Sequence, residues 1–160
     1  MRYGNVVGSR GSVILFFIKK RETGVLPITD PRMTRFWITL EQGVRFVISC
    51  LGRMQGGEVF VPKIPSMKVT DLAEMIAPGA ERENIGIRPG EKVNEILLTE
   101  EEARLAREFD DYFVIEPEYP FWRKDNLRGG KFLTEGFRYT SDNNSWWLTK
   151  DELRRMIEEL

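Results

Sequence analysis

At 160 residues, 31% charged and 41% hydrophobic, the chain has the composition of one soluble globular domain able to bury about 70% of its unfolded surface. A formal net charge of -1 gives no electrostatic reason to expect nucleic acid or an acidic membrane surface as partner. The absence of histidine excludes histidine-based acid–base chemistry, the usual nucleophilic triads and most catalytic zinc sites.

In chain order, MRYGNVV (1–7) reads as the end of a strand and GSRGS as a loop. A helix runs from about Val13 to Thr23 and closes on Gly24. LPIT is extended and passes through a turn at Asp30-Pro31 into MTRFWI. Thr39 with Gln42 makes a capping box for a helix on which Val44, Val47, Ile48 and Leu51 share one face. Gly56-Gly57 ends it, and EVFVP is a strand. Lys63 and Ser66 in PKIPSM read as a helix entry with its cap, and Asp71 or Thr70 caps the short helix DLAEMIA. NIGIR is a strand that delivers the loop RPGEK. Thr99 with Glu102 opens the helix EEEARLAREF, and YFVIEP is a strand. From Glu118 to Asn144 the chain is irregular, and Thr149 with Glu152 opens the last helix, DELRRMIEEL. Interleaved strands and helices argue α/β or α+β. The first element opens inside a strand, which suggests the downstream part of a larger unit.

The longest apolar run, VILFFI (13–18), is too short to span a bilayer, and the lone thiol, Cys50, fits a reducing cytoplasm. Two arginines need explaining. Arg35 interrupts an apolar strand and Arg88 ends an alternating one, and burying a guanidinium is costly without an anion. The anion is either internal or a ligand. Asp30 or Glu41 stands near Arg35 in sequence, and Glu91 or Glu95 near Arg88. Arg10 in GSRGS suits a phosphate or a solvated loop equally. Trp146, Trp147 and the aromatics of PEYPFW are packing anchors for the tail or part of a subunit interface.

RYGNVVGSRGSV, PITDPRMTRFWITLEQGV, GGEVFVPKIPSMKVTDLA, GIRPGEKVNE and YTSDNNSWWLTKDEL, in this order, resemble the C-terminal half of the inverting UDP-N-acetylglucosamine 4,6-dehydratases. These are extended short-chain dehydrogenases/reductases that start pseudaminic-acid synthesis for flagellin glycosylation. The resemblance implies an α/β fold, the C-terminal part of a Rossmann-type fold with a small substrate-binding domain. Residues 1–24 would be the end of the Rossmann sheet and its helix, and 118–160 a family-specific tail. In that family Arg35 and Arg88 would clamp the UDP pyrophosphate, Asn5 would meet the phosphates and Glu91 would lie near the ribose. The reaction the resemblance implies takes hydride from C4 to NAD(P), loses water across C5 and C6, and returns hydride to C6 with inversion at C5.

NAD(P) and the acid–base residues belong to the family's N-terminal half. No catalytic residue and no cofactor is therefore expected for this chain alone, and Tyr3 has Val7 rather than lysine four residues on. A separate Rossmann half and a homo-oligomer are the partners implied. A binding module or a fragment without independent activity is the alternative. Two positions depart from the family pattern. Leu15 replaces a proline, and Asn94 replaces the histidine of RPGEKLHE.

Overall fold

The chain's computed structural model describes residues 1–119 and 129–158. Strand β1 (Asn5–Val6) pairs in parallel with β3 (Thr34–Ile38), Asn5 standing opposite Trp37. Between them Ser12 caps helix α1 (Val13–Lys20), its hydroxyl accepting from the Leu15 amide. A 3-10 turn and Gly24, in the left-handed region at φ 73°, lead into β2 (Val25–Ile28). β3 also pairs antiparallel with β5 (Ser66–Lys68), giving the order β1-β3-β5.

Helix α3 (Val69–Ile76) follows β5 directly, without the side-chain cap expected of Thr70 or Asp71. β6 (Glu81–Asn84) then runs parallel to β2, Ile28 opposite Asn84. The expected strand NIGIR is displaced upstream, because the Asn84 side chain accepts from the Gly86 amide and turns the chain out of the ladder.

A second sheet has the antiparallel order β10-β8-β9-β4: β10 (Lys131–Phe132), β8 (Ala106–Glu108), β9 (Tyr112–Ile115) and β4 (Val59–Pro62). EEEARLAREF is therefore not one helix. The Thr99–Glu102 capping box forms, but α4 (Glu100–Ala103) stops after one turn. Residues 106–108 pair with β9, where Ala106 is fully buried and the Arg107 guanidinium donates to Glu116. Hairpin pairing and burial here override a run of good helix formers.

Helix α2 (Leu40–Leu51) begins with the expected Thr39–Gln42 capping box and ends at Gly52, short of Gly56-Gly57. Its apolar stripe is real but faces outward: Val44, Val47, Ile48 and Leu51 are 40–64% exposed. Cys50 is buried on another side, in a cluster with Phe60, Tyr112 and Val114.

Helix α5 (Lys150–Glu158), capped by Thr149, contributes fully buried Leu153 to the core formed by α1, β2 and α3. Lys63 and Ser66 do not form a helix entry. Lys63 pairs with Glu108 at 2.7 Å, and buried Ser66 belongs to β5.

The last strand pair joins β7 (Ile96–Leu98) to β11 (Tyr139–Thr140). Trp146 and Trp147 are 49% and 37% exposed, so polar groups rather than indoles do most of the tail's anchoring. The Asn144 amide donates to Ile64 O, Ser66 Oγ and Trp146 O. The Tyr139 hydroxyl donates to Ile64 O and accepts from Ile64 N, both at 2.9 Å, and burial pushes its ionisation up to about 12. Of PEYPFW, Pro120, Phe121 and Trp122 lie outside the described residues.

In Tyr139→Phe the Ile64 carbonyl keeps Asn144, but the buried Ile64 N–H loses its acceptor. Thermal unfolding is expected to show a loss of about 1–2 kcal/mol.

Candidate nucleotide site

The parallel β2–β6 ladder carries the chain to a cleft of about 580 Å³. Ile85 N donates to Ile28 O, so the segment after β6 runs on beside the end of β2. Residues 88–91, RPGE, form a tight turn in which Glu91 N donates to Arg88 O. Proline stands at its second position and Gly90, at φ 85°, at its third, the requirements of a type II turn. The Glu91 carboxylate accepts from the Arg88 amide at 3.0 Å and closes the turn from the other side.

One wall of the cleft is α1 with the loop before it, presenting Arg10, Ser12, Phe16 and Lys19. Pro27 and Thr29 lie at the end of β2, and Ile85, Arg88 and Glu91 form the opposite wall. Among the described residues the guanidinium groups of Arg10 and Arg88 and the Lys19 ammonium have no ion-pair or hydrogen-bond partner. Three cations thus face a space that holds one carboxylate, beside the exposed apolar surfaces of Phe16 and Ile85.

Arg35 and Asn5 stand elsewhere. Arg35 is not among the cleft-lining residues. Its guanidinium donates to Thr34 O at 2.7 Å, Val93 O at 2.9 Å and Lys92 O at 3.0 Å, and Nε lies 3.8 Å from Glu95. Neither Asp30 nor Glu41 is its partner: Asp30 binds Arg32, and Glu41 binds Arg45. Asn5, with its amide nitrogen turned toward Glu95, donates to both carboxylate oxygens at 2.6 and 3.1 Å. The structure thus brings Arg88 and Glu91 together at the cleft, and Asn5 and Arg35 together around Glu95. The loop joining the two groups begins at Arg88 and is held at its far end by Arg35.

Sequence reading missed Glu95 as a centre, although it lies within the same charged loop, and passed over Lys19 and Phe16. Their signal was the helical position of Phe16 and Lys19 on the solvent side of an otherwise apolar helix. Asn94 also has a structural partner, since its Oδ1 accepts from Thr34 Oγ1 at 2.9 Å and ties the loop to β3.

Burial raises the ionisation of Glu95 above the ordinary carboxylate range, opposed by the Phe36 amide and Arg35. A carboxyl raised in the folded state favours folding fully below its unfolded value, and that contribution fades as pH rises through the folded value. Unfolding temperatures of the parent and Glu95→Gln proteins, compared from about pH 4 upward, are therefore expected to shift progressively in favour of the variant. A constant difference across that range would contradict the assignment.

The site is thus a cleft with cationic and apolar walls at the end of a parallel strand pair in an α/β fold. The chain is a member of the polysaccharide biosynthesis protein family, whose model matches residues 1–117. It is 52% identical to a Campylobacter jejuni protein named UDP-N-acetylglucosamine 4,6-dehydratase (inverting), across 98% of this chain and 49% of that one. A Rickettsia conorii protein named UDP-glucose 4-epimerase is 36% identical, over 98% of this chain and 48% of its own length. The X-ray structure of Pen from Bacillus thuringiensis superposes with a TM-score of 0.80 at 35% identity, covering 99% of this chain and 48% of that one. The fold is thus the C-terminal part of an extended short-chain dehydrogenase/reductase fold. The chain spans about half the length of the curated relatives it matches.

Proposed function

We propose that this chain is the substrate-binding half of an inverting UDP-N-acetylglucosamine 4,6-dehydratase, and that the cleft between α1 and the Arg88–Glu91 turn receives the UDP moiety. One observation carries the reading: Arg10, Lys19 and Arg88, without partners among the described residues, converge on one space with apolar walls. A diphosphate supplies about two negative charges, which a guanidinium fork meets in bidentate fashion. The N-terminal end of α1, at Val13, adds a positive dipole end on the same wall. Phe16 and Ile85 offer apolar surface for the base, and the Glu91 carboxylate accepts from ribose hydroxyls. Arg35 and Asn5 act from the sheet edge, where Arg35 holds the loop that presents Arg88. Arg35 itself meets a phosphate only by exchanging its carbonyl partners for it.

Binding the sugar nucleotide in a fixed pose replaces a bimolecular encounter with an oriented, unimolecular one, and that is the contribution assigned to this chain. NAD(P) supplies hydride transfer in the reaction, but the residues present do not fit it. The β1–α1 turn closes on itself, Ser12 N donating to Ser9 O at 3.0 Å, and its spacing is not that of a dinucleotide fingerprint. No step is therefore assigned to the dinucleotide here, and the chain alone is expected to turn over no UDP-N-acetylglucosamine. The product, a UDP-linked 4-keto-6-deoxy sugar, would feed surface-glycan synthesis, including the pseudaminic acid used on flagellin. A cytoplasmic homo-oligomer belongs to the same proposal. Among the described residues no helix is long and apolar enough to cross a membrane.

Calorimetric titration tests the reading. UDP and UDP-N-acetylglucosamine are expected to bind with similar affinity, and uridine at least tenfold more weakly. Equal binding of uridine, or none by UDP, would overturn it. The similarity to a protein named UDP-glucose 4-epimerase supports a second reading, with the same nucleotide cleft and another sugar. Tighter binding of UDP-glucose than of UDP-N-acetylglucosamine would favour that reading.

A further inference from the structure

The nucleotide cleft ends at Glu91, but the loop that carries Glu91 is fixed a few residues further on, at buried polar groups outside the cleft. After the 88–91 turn, Arg35 holds the carbonyls of Lys92 and Val93, and the Thr34 amide donates to Val93 O at 3.1 Å. The next two residues are held by hydroxyls. Asn94 Oδ1 accepts from Thr34 Oγ1 at 2.9 Å, and the Glu95 amide donates to Ser141 Oγ at 2.9 Å. The two hydroxyl oxygens lie 2.6 Å apart, and Ser141 and Thr34 are 0% and 3% exposed.

Proton supply fixes the direction of this network. The Thr34 hydroxyl has one proton and gives it to Asn94, whose carbonyl oxygen can only accept. The Ser141 proton must then go to Thr34, either to Oγ1 or to the carbonyl oxygen at 3.1 Å. The Ser141 oxygen accepts in turn from the Glu95 amide. A one-way relay therefore runs from Glu95 through Ser141 and Thr34 to Asn94, beginning and ending on neighbouring residues of one loop. Each hydroxyl is both donor and acceptor, so deleting either leaves partners unpaired at a buried place. Ser141 also grips Glu95 through its main chain, its amide donating to Glu95 O at 2.9 Å. The tail presents Ser141 in a local turn, where Thr140 N donates to Asn143 Oδ1, and β11 sets that turn beside β7.

We propose that Ser141 is a positioning residue for the nucleotide cleft: the relay it completes with Thr34 fixes the far end of the loop that presents Arg88 and Glu91. The inference rests on the UDP reading of that cleft. Neither Ser141 nor Thr34 lines the cleft, so both act only through the loop. The near end of the loop is pinned where Ile85 N donates to Ile28 O. With residues 93–95 pinned as well, the turn between them is held from both sides, and Arg88 is aimed before a diphosphate arrives. Without the two hydroxyls, the Asn94 side chain and the Glu95 amide are released, and ordering them falls on ligand binding. Arg35 still holds Lys92 and Val93 in that case, so affinity is reduced rather than abolished. A strap of the tail thus contributes to nucleotide affinity from outside the site.

The test is calorimetric titration of UDP and uridine into the parent, Ser141→Ala, Thr34→Val, Thr34→Ser and Tyr139→Phe proteins. Ser141→Ala and the isosteric Thr34→Val are expected to bind UDP about fivefold or more weakly and to narrow its preference over uridine. Thr34→Ser keeps the hydroxyl and should stay within about twofold of the parent. Tyr139→Phe loosens the same tail at Ile64 and should lower the unfolding temperature without moving the affinity, a split that general destabilisation does not produce. Parent affinity in both Ser141→Ala and Thr34→Val, or an equal loss in Tyr139→Phe, overturns the proposal. A parent that does not prefer UDP to uridine overturns the cleft reading instead, and the positioning claim is then decided without ligand. Heteronuclear NOE values of the Arg88, Gly90 and Glu91 amides should drop in Ser141→Ala and Thr34→Val but not in Tyr139→Phe. Unchanged values there overturn it.

Discussion

Replacing Arg88 with alanine is expected to weaken UDP binding roughly 30- to 150-fold, about 2–3 kcal/mol, the scale of a charge-assisted bond left unmade. The turn that carries Arg88 is made by backbone atoms and the Glu91 carboxylate, so its geometry survives truncation of the side chain. The guanidinium has no partner among the described residues, and its loss leaves no buried group orphaned. The unfolding temperature should therefore stay constant while affinity falls. Arg88→Lys should recover part of the loss, because it keeps the charge but not the planar fork. Unchanged calorimetric affinity in Arg88→Ala would remove Arg88 from the site.

Replacing Arg35 with alanine is expected to act first on stability. The side chain is 14% exposed and donates to three backbone carbonyls, two of them in the 88–95 loop. Without it the carbonyls of Thr34 and Lys92 lose a donor and the half-buried Glu95 carboxylate loses its neighbouring cation. A loss of about 2–3 kcal/mol follows, or roughly 5–10 °C in a domain of this size. Adding Glu95→Gln should restore part of it, because the stranded carboxylate is then neutral. UDP affinity should fall too, through the loosened loop that presents Arg88. The reverse pattern, a normal unfolding temperature with UDP binding lost, would make Arg35 a direct phosphate ligand.

These two arginines show how far residue types alone can be read. Both stand out because a guanidinium in an apolar run needs an anion, and sequence spacing offered local carboxylates for each. The fold chose differently. Arg35 reached fifty-seven residues along the chain to Lys92 and beyond it to Val93 and Glu95, none of which local spacing could reveal. Arg88 was left facing the cleft.

The capping boxes at Thr39 and Thr99 were legible because they are short-range geometry. The length of the helix after Thr99 was not, because pairing of residues 106–108 with 113–115 decided it. The stripe on α2 was legible as a face, but periodicity cannot say whether a face turns toward this chain's own core or away from it. The Phe16 and Lys19 wall escaped notice for a related reason: cleft-lining side chains of an amphipathic helix look like its ordinary solvent side.

The most direct test of the nucleotide cleft is amide chemical-shift mapping during titration with UDP. The prediction is that perturbations concentrate in residues 10–19 and 85–91, with the largest at Arg88, Glu91 and the start of α1. A rival location exists in the 410 Å³ hollow lined by Lys63, Asp111, Asn143 and Trp146. Shifts gathered there, with residues 85–91 silent, would contradict the account.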